Sequence, residues 1–116
     1  MNVWKNVRLE LASTNEFPAG SVSRAYLIRL PLGDDDRVDE AAYLEDPTKA
    51  TVRRHWSSEP DISGSLSWED GAWIIRCSAL PDRWLELDGK PIRLGQRIEI
   101  ITDSGTTLPF RVATIR

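Results

Sequence analysis

The sequence predicts an all-β, mostly antiparallel fold. It would be a small β-sandwich or partly open β-barrel of about seven to eight strands, with one short helix near residues 39–45. Three observations carry that expectation. Apolar and polar residues alternate along several short segments, the period of a half-buried strand. Turn formers, above all Asp-Gly pairs, punctuate those segments roughly every 8–12 residues. Only one stretch has helical start and stop signals, so a single all-β domain covering 1–116 accounts for the chain.

Taken in order, Val7, Leu9 and Leu11 alternate with Asn6, Arg8 and Glu10 and predict a first strand with the apolar phase inward. Trp4 falls in the opposite phase. Residues 13–23 are rich in turn formers and read as a long loop anchored by Phe17. Residues 24–32 predict a second strand with Tyr26, Ile28 and Leu30 on one side. Pro31 has no N–H for a ladder, which places it at an edge or a strand end; Pro109 reads the same way. In 33–47, Asp39 suits an N-cap, with Val38 and Tyr43 at the spacing of a hydrophobic staple, and Pro47 ends the helix. Asp34, Asp35 and Asp36 lack the alternating spacing of a Ca²⁺ loop and read as solvated. Residues 49–56 predict a strand with Val52 and Trp56 inward and Arg53 and His55 outward.

Three hairpins follow. In 62–79, Asp70-Gly71 accepts positive φ at both central positions of a type I′ turn. That register sets Trp68 opposite Trp73, Leu66 opposite Ile75 and Gly64 opposite Cys77. Leu66, Trp68, Trp73, Ile75 and Cys77 then face the core, and Ser63, Ser65, Ser67, Ile74, Arg76 and Ser78 face outward. A second hairpin is expected over 84–94, turning at Asp88-Gly89, with Leu85, Leu87, Ile92 and Leu94 inward and Trp84 and Arg93 outward. The third joins 97–102 to 106–115. Bringing Ile98 and Ile100 to the face of Leu108 and Phe110 requires an odd loop, and Asp103-Ser104-Gly105 supplies three residues with Gly at the left-handed position.

Composition limits the functions open to the chain. The net charge is −3, with 15 basic against 18 acidic residues, which argues against a nucleic-acid partner, since such binding draws on a basic face. The basic residues are twelve Arg and three Lys, a bias toward paired or stacked contacts. One Cys precludes an internal disulfide and a multi-thiolate metal site. Lys5, Arg8 and Glu10 interrupt the N-terminal apolar residues, and no window reaches membrane-spanning length, so neither signal peptide nor membrane is expected and a reducing, cytoplasmic setting is. His55 is the sole imidazole; any triad would have to use it, with Asp61 or Glu59 orienting it, and no nucleophile elbow accompanies it. No Gly-rich phosphate loop is present.

Two family resemblances bear on function. The run Asp82-Arg83-Trp84-Leu85-Glu86-Leu87-Asp88-Gly89-Lys90-Pro91-Ile92-Arg93-Leu94-Gly95-Gln96-Arg97-Ile98 resembles the late strands of forkhead-associated domains, a resemblance that implies a β-sandwich and phosphothreonine-peptide binding. The family's upstream phosphate-reading Gly-Arg and Ser-x-x-His have no counterpart, so no site residue carries over. Asp61-Ile62-Ser63 resembles the start of the second PilZ motif, and Arg53-Arg54 or Arg24 with Arg29 the first; this implies a small barrel binding cyclic di-GMP. Gly64 directly follows the Ser, and Leu66 stands where that motif has Gly.

The expected function is a non-catalytic binding or protein–protein interaction module. The alternatives are binding of an anionic ligand (a PilZ-like cyclic dinucleotide) or of a phosphopeptide, and below these a hydrolase using His55. The partner would be a protein or a small anion. The candidate binding residues are Arg53, Arg54, His55, Arg24, Arg76, Trp84 and Arg93, since Arg and Trp are enriched at binding hot spots. No catalytic residue, metal or cofactor is assigned.

Overall fold

In the computed structural model, which describes residues 3–77 and 84–116, eight strands close into an antiparallel barrel. They are β1 (Val3–Leu11), β2 (Ser21–Leu32), β3 (Thr51–Trp56), β4 (Ile62–Glu69), β5 (Ala72–Arg76), β6 (Leu85–Leu87), β7 (Arg97–Thr102) and β8 (Thr107–Ile115). Each pairs with the next in sequence, and β8 closes on β1. The open alternatives, a sandwich or a partly open barrel, give way to full closure, which pairs every strand on both sides.

The alternation read from the sequence decides what fills the barrel. Val7, Leu9, Leu11, Tyr26, Ile28, Leu30, Val52, Leu66, Trp73, Ile75, Ile98, Ile100, Phe110 and Val112 are buried in one cluster. Tyr26 sits edge-on to Phe110 with ring centroids 5.4 Å apart and edge-on to Trp56 at 5.7 Å. Such offset geometries contribute beyond burial alone. The helix α1 spans Glu40–Glu45, and the Asp39 side chain accepts from Ala42 N at 3.1 Å, the N-cap foreseen. Its buried Tyr43 lies edge-on to Trp73 at 5.1 Å, so the helix plugs one end of the barrel over the Trp73–Trp68 pair.

Two of the three hairpins have the expected register. Asp70 (φ 51°) and Gly71 (φ 81°) form the turn between Glu69 and Ala72, with Trp68 opposite Trp73 and Leu66 opposite Ile75. Thr102 N donates to Thr106 O at 2.8 Å, closing a three-residue loop whose Gly105 has φ 91°. Ile98 then faces Phe110 and Ile100 faces Leu108. The β5 ladder ends at Arg76, and Ser78 and Ala79 lie outside the described residues.

The remaining departures share a cause: closure changes which strand is whose neighbour. The hairpin expected over 84–94 does not form. β6 pairs with β5 on one side and β7 on the other, so residues 88–96 bridge to β7 as a loop. Ile92 is still buried, pinned as its N–H donates to Asp36 O at 2.7 Å, but Leu94 is 68% exposed rather than inward. The forkhead-associated resemblance leaned on that hairpin, and its Asp82 and Arg83 lie outside the described residues. Ile74, expected outward, is buried on the outer face between Ser67 and Glu86. Pro31 is the second-last residue of β2, the strand-end position expected, whereas Pro109 lies within β8 opposite Glu99 of β7. β2 pairs with β3 only over Arg24–Ile28, so Pro31 extends past β3 and needs no N–H on that side. β2 begins at Ser21, which shortens the expected 13–23 loop, and 47–49 form a 3₁₀ turn rather than the start of β3. Among the described residues no helix is long and apolar enough to cross a membrane.

Candidate functional site

The outward positions of neighbouring strands fall into rows, and two adjacent rows carry an unusual density of guanidinium. One row runs Thr114 (β8), Arg8 (β1), Leu27 (β2), Arg53 (β3), Ser63 (β4) by direct cross-strand pairing. Beside it, Asn6 pairs with Arg29 on β2 and exchanges two backbone hydrogen bonds with Arg116, at 2.7 and 2.9 Å. Arg8, Arg29 and Arg53 on β1, β2 and β3, with Arg116 one residue past the end of β8, thus each present one Arg on the same face. They line a groove of about 630 Å³ together with Asn6, Thr51, Ser63 and Thr114, and no Asp or Glu side chain lies in its wall. That volume is within the range of small-ligand sites.

The groove's charges are only partly neutralised, and from its margins. Glu10 Oε2 accepts from Arg8 Nε at 2.8 Å, and Arg8 Nη2 donates to Val22 O at 2.8 Å, which fixes that guanidinium. Asp61 lies 3.8 Å from Arg53, a loose, exposed pair worth little. Among the described residues, Arg29 and Arg116 have no ion-pair partner. Like charges on neighbouring strands repel, so this arrangement costs the fold something that a bound anion would offset. Guanidiniums with hydroxyl donors beside them can hold phosphate or carboxylate oxygens by charge-assisted hydrogen bonds.

The sequence-derived candidates scatter around this groove. Arg53 is in it. His55 projects from the same outer face one row away; its Nδ1 lies 2.8 Å from Asp61 Oδ1, so one carboxylate bridges His55 and Arg53. Asp61 is its hydrogen-bonded partner, and neither a hydroxyl nor a thiol completes a triad among the described residues. Arg54 takes the opposite phase. Its side chain is 14% exposed, stacked 3.9 Å from the Trp56 ring centroid and 3.5 Å from Glu59. Arg24 lies over the Phe17 ring at 4.2 Å, in a separate cleft of about 530 Å³ beneath the 12–20 loop. Arg93 is tied to Asp36 at 2.8 Å, and half-buried Trp84 lines neither cavity. Of the PilZ-like residues, the fold sets Arg53 opposite Ser63 and near Asp61 but sends Arg24 and Arg54 elsewhere. Arg8, Arg29 and Arg116 are not among the sequence-derived candidates, because only the pairing of β1 with β2, of β2 with β3 and of β8 with β1 brings them beside Arg53.

Arg76 is occupied. It reaches Glu69 twice, Nε to Oε2 at 2.8 Å and Nη2 to Oε1 at 2.5 Å, and Ser67 Oγ donates to Glu69 Oε2 at 2.5 Å. The Arg76 bond first, then the Ser67 bond, lowers the Glu69 carboxyl from 4.5 to about 2. A depressed acid contributes stability above its unfolded pKa and loses it as pH falls through the folded value. The window is therefore about pH 4.5 down to 2. With both partners exposed, solvent screening keeps the effect small. Arg76→Ala is expected to lower stability slightly at neutral pH and to converge on the parent chain as the pH falls from about 4.5 to 2, as measured by urea melts at a series of pH values.

Cys77 is buried, and desolvation raises its thiol pKa, against a smaller opposing pull from Arg54. Among the described residues no group of three His, Cys, Asp or Glu stands together as a metal site. Comparison of the chain with protein-family models, curated proteins and solved structures finds no match.

Proposed function

We propose that this chain is a non-catalytic binding module that holds an anionic ligand in the groove over β8, β1, β2 and β3. One observation carries the reading: four Arg, three on successive strands and Arg116 just past β8, line a groove whose wall has no carboxylate side chain. Strands are rigid supports, so the guanidiniums project from fixed origins, which lowers the ordering cost of binding. The lone buried Cys77 fits a reducing, cytoplasmic setting.

Thermal melting at fixed ionic strength tests the proposal. Pyrophosphate, cyclic di-GMP and a short acidic peptide form the panel. A ligand at a hundred times its dissociation constant stabilises the native state by about 2.7 kcal/mol, which is roughly 10 °C for a chain of this size. At least one member of the panel should raise the midpoint, and Arg29→Ala combined with Arg53→Ala should abolish the rise. No rise across the panel, or an equal rise in the double variant, would overturn the assignment.

A further inference from the structure

We infer that the occupant of the groove is an extended acidic segment of a protein partner, lying across the strands and held through its side-chain carboxylates. This rests on the anion-binding reading above and narrows it.

The span of the charges is the first argument. Arg8, Arg29 and Arg53 originate on three neighbouring strands and Arg116 just past the end of a fourth, and at about 4.8 Å per strand the outermost pair stands roughly 14 Å apart. Each step is also offset diagonally between the two rows. A single compact anion can meet two of these guanidiniums but not all four. An extended peptide rises about 3.3 Å per residue and repeats side chains on one face every second residue. Roughly five residues cover the same span and offer three carboxylates when Asp or Glu occupies alternate positions.

The closed barrel supplies the second argument. With β8 bonded to β1, each described strand is paired on both sides over at least part of its length, which leaves little edge for a partner strand to extend and puts recognition on the side chains of the outer face. The third is chemical. No aromatic residue lines the groove, so it lacks the stacking platform on which single-stranded nucleic acid relies. The chain's net charge of −3 also works against a long polyanion, while a short segment meets only the local cluster. Arg, with its planar fork, pairs carboxylates through two parallel bonds.

Fluorescence anisotropy with a labelled Glu-Ser-Glu-Ser-Glu-Ser-Glu peptide tests this on the full chain. Its Gln-for-Glu counterpart, a dT hexanucleotide and inorganic pyrophosphate serve as comparisons. The acidic peptide should bind and the Gln peptide should not. Arg29→Ala with Arg53→Ala should weaken binding roughly tenfold or more, while Arg97→Ala, on the outer face of β7, should not. Raising the salt should weaken binding in parallel. If the hexanucleotide or pyrophosphate binds in a manner that needs Arg29 and Arg53 while the peptide does not, the peptide assignment fails and the anion-binding reading stands. If none of the three binds, both fail. The three variant positions, Arg29, Arg53 and Arg97, are exposed, and unchanged melting temperatures establish that lost binding is not lost folding.

Discussion

Phe110→Ala is expected to lower the melting temperature by about 12–20 °C. Phe110 has no exposure, stands edge-on to Tyr26, and sits where β8 is paired both to β7 at Ile98 and to β1 at Leu11. Truncating a fully buried Phe removes its transfer free energy and leaves a cavity, together about 3–5 kcal/mol. A barrel responds poorly to such a cavity, because each strand is held on both sides and none can move inward alone. Calorimetry on the variant measures the shift. A drop of only a few degrees would mean that the barrel interior relaxes far more readily than its closure implies.

Gly64→Ala is expected to cost about 3 kcal/mol, the upper part of the range for overpacking. Its backbone is not in the left-handed region, so the cost is purely one of space. A Cβ there would run into the backbone carbonyl oxygen of Arg76, with Cys77 Sγ 2.5 Å away. The thiol could rotate aside, but the carbonyl belongs to β5 and cannot. Urea denaturation of Gly64→Ala and of Gly64→Ala with Cys77→Ala separates the two: the second substitution should recover only a minor part of the loss. Full recovery would show that the thiol, not the carbonyl, sets the requirement for Gly.

Local rules were legible wherever one residue pair decides the outcome. Asp70-Gly71 dictates its turn, Gly105 its bulged loop, and Asp39 its helix cap, because each acts within a few residues. The inward phase of β1, β2 and β7 followed from period-two patterning for the same reason. The failures came where tertiary pairing outweighs local signals. Asp88-Gly89 has the composition of a hairpin turn, yet β6 finds better partners in Trp73–Ile75 and Ile100–Thr102, so the chain beyond it becomes a loop and Leu94 stays exposed. The candidate site shows the same division. Arg53 and its neighbour His55 were visible as an outward cluster on one strand. Arg8, Arg29 and Arg116 are distant in sequence and meet it only when β8, β1, β2 and β3 lie side by side. Conversely, Arg54 is adjacent to Arg53 in sequence but, on a strand, points to the opposite face, where Trp56 and Glu59 hold it.

The claim that the groove is the binding surface is tested most directly by two-dimensional NMR of the ¹⁵N-labelled chain during titration with the acidic peptide or, failing binding, pyrophosphate. Shifts are predicted for the backbone amides of Asn6, Arg8, Arg29, Arg53 and Ser63 and for the guanidinium Nε–H signals of Arg29 and Arg53. Perturbations gathered instead around Phe17, Arg24 and Trp56 would contradict the account.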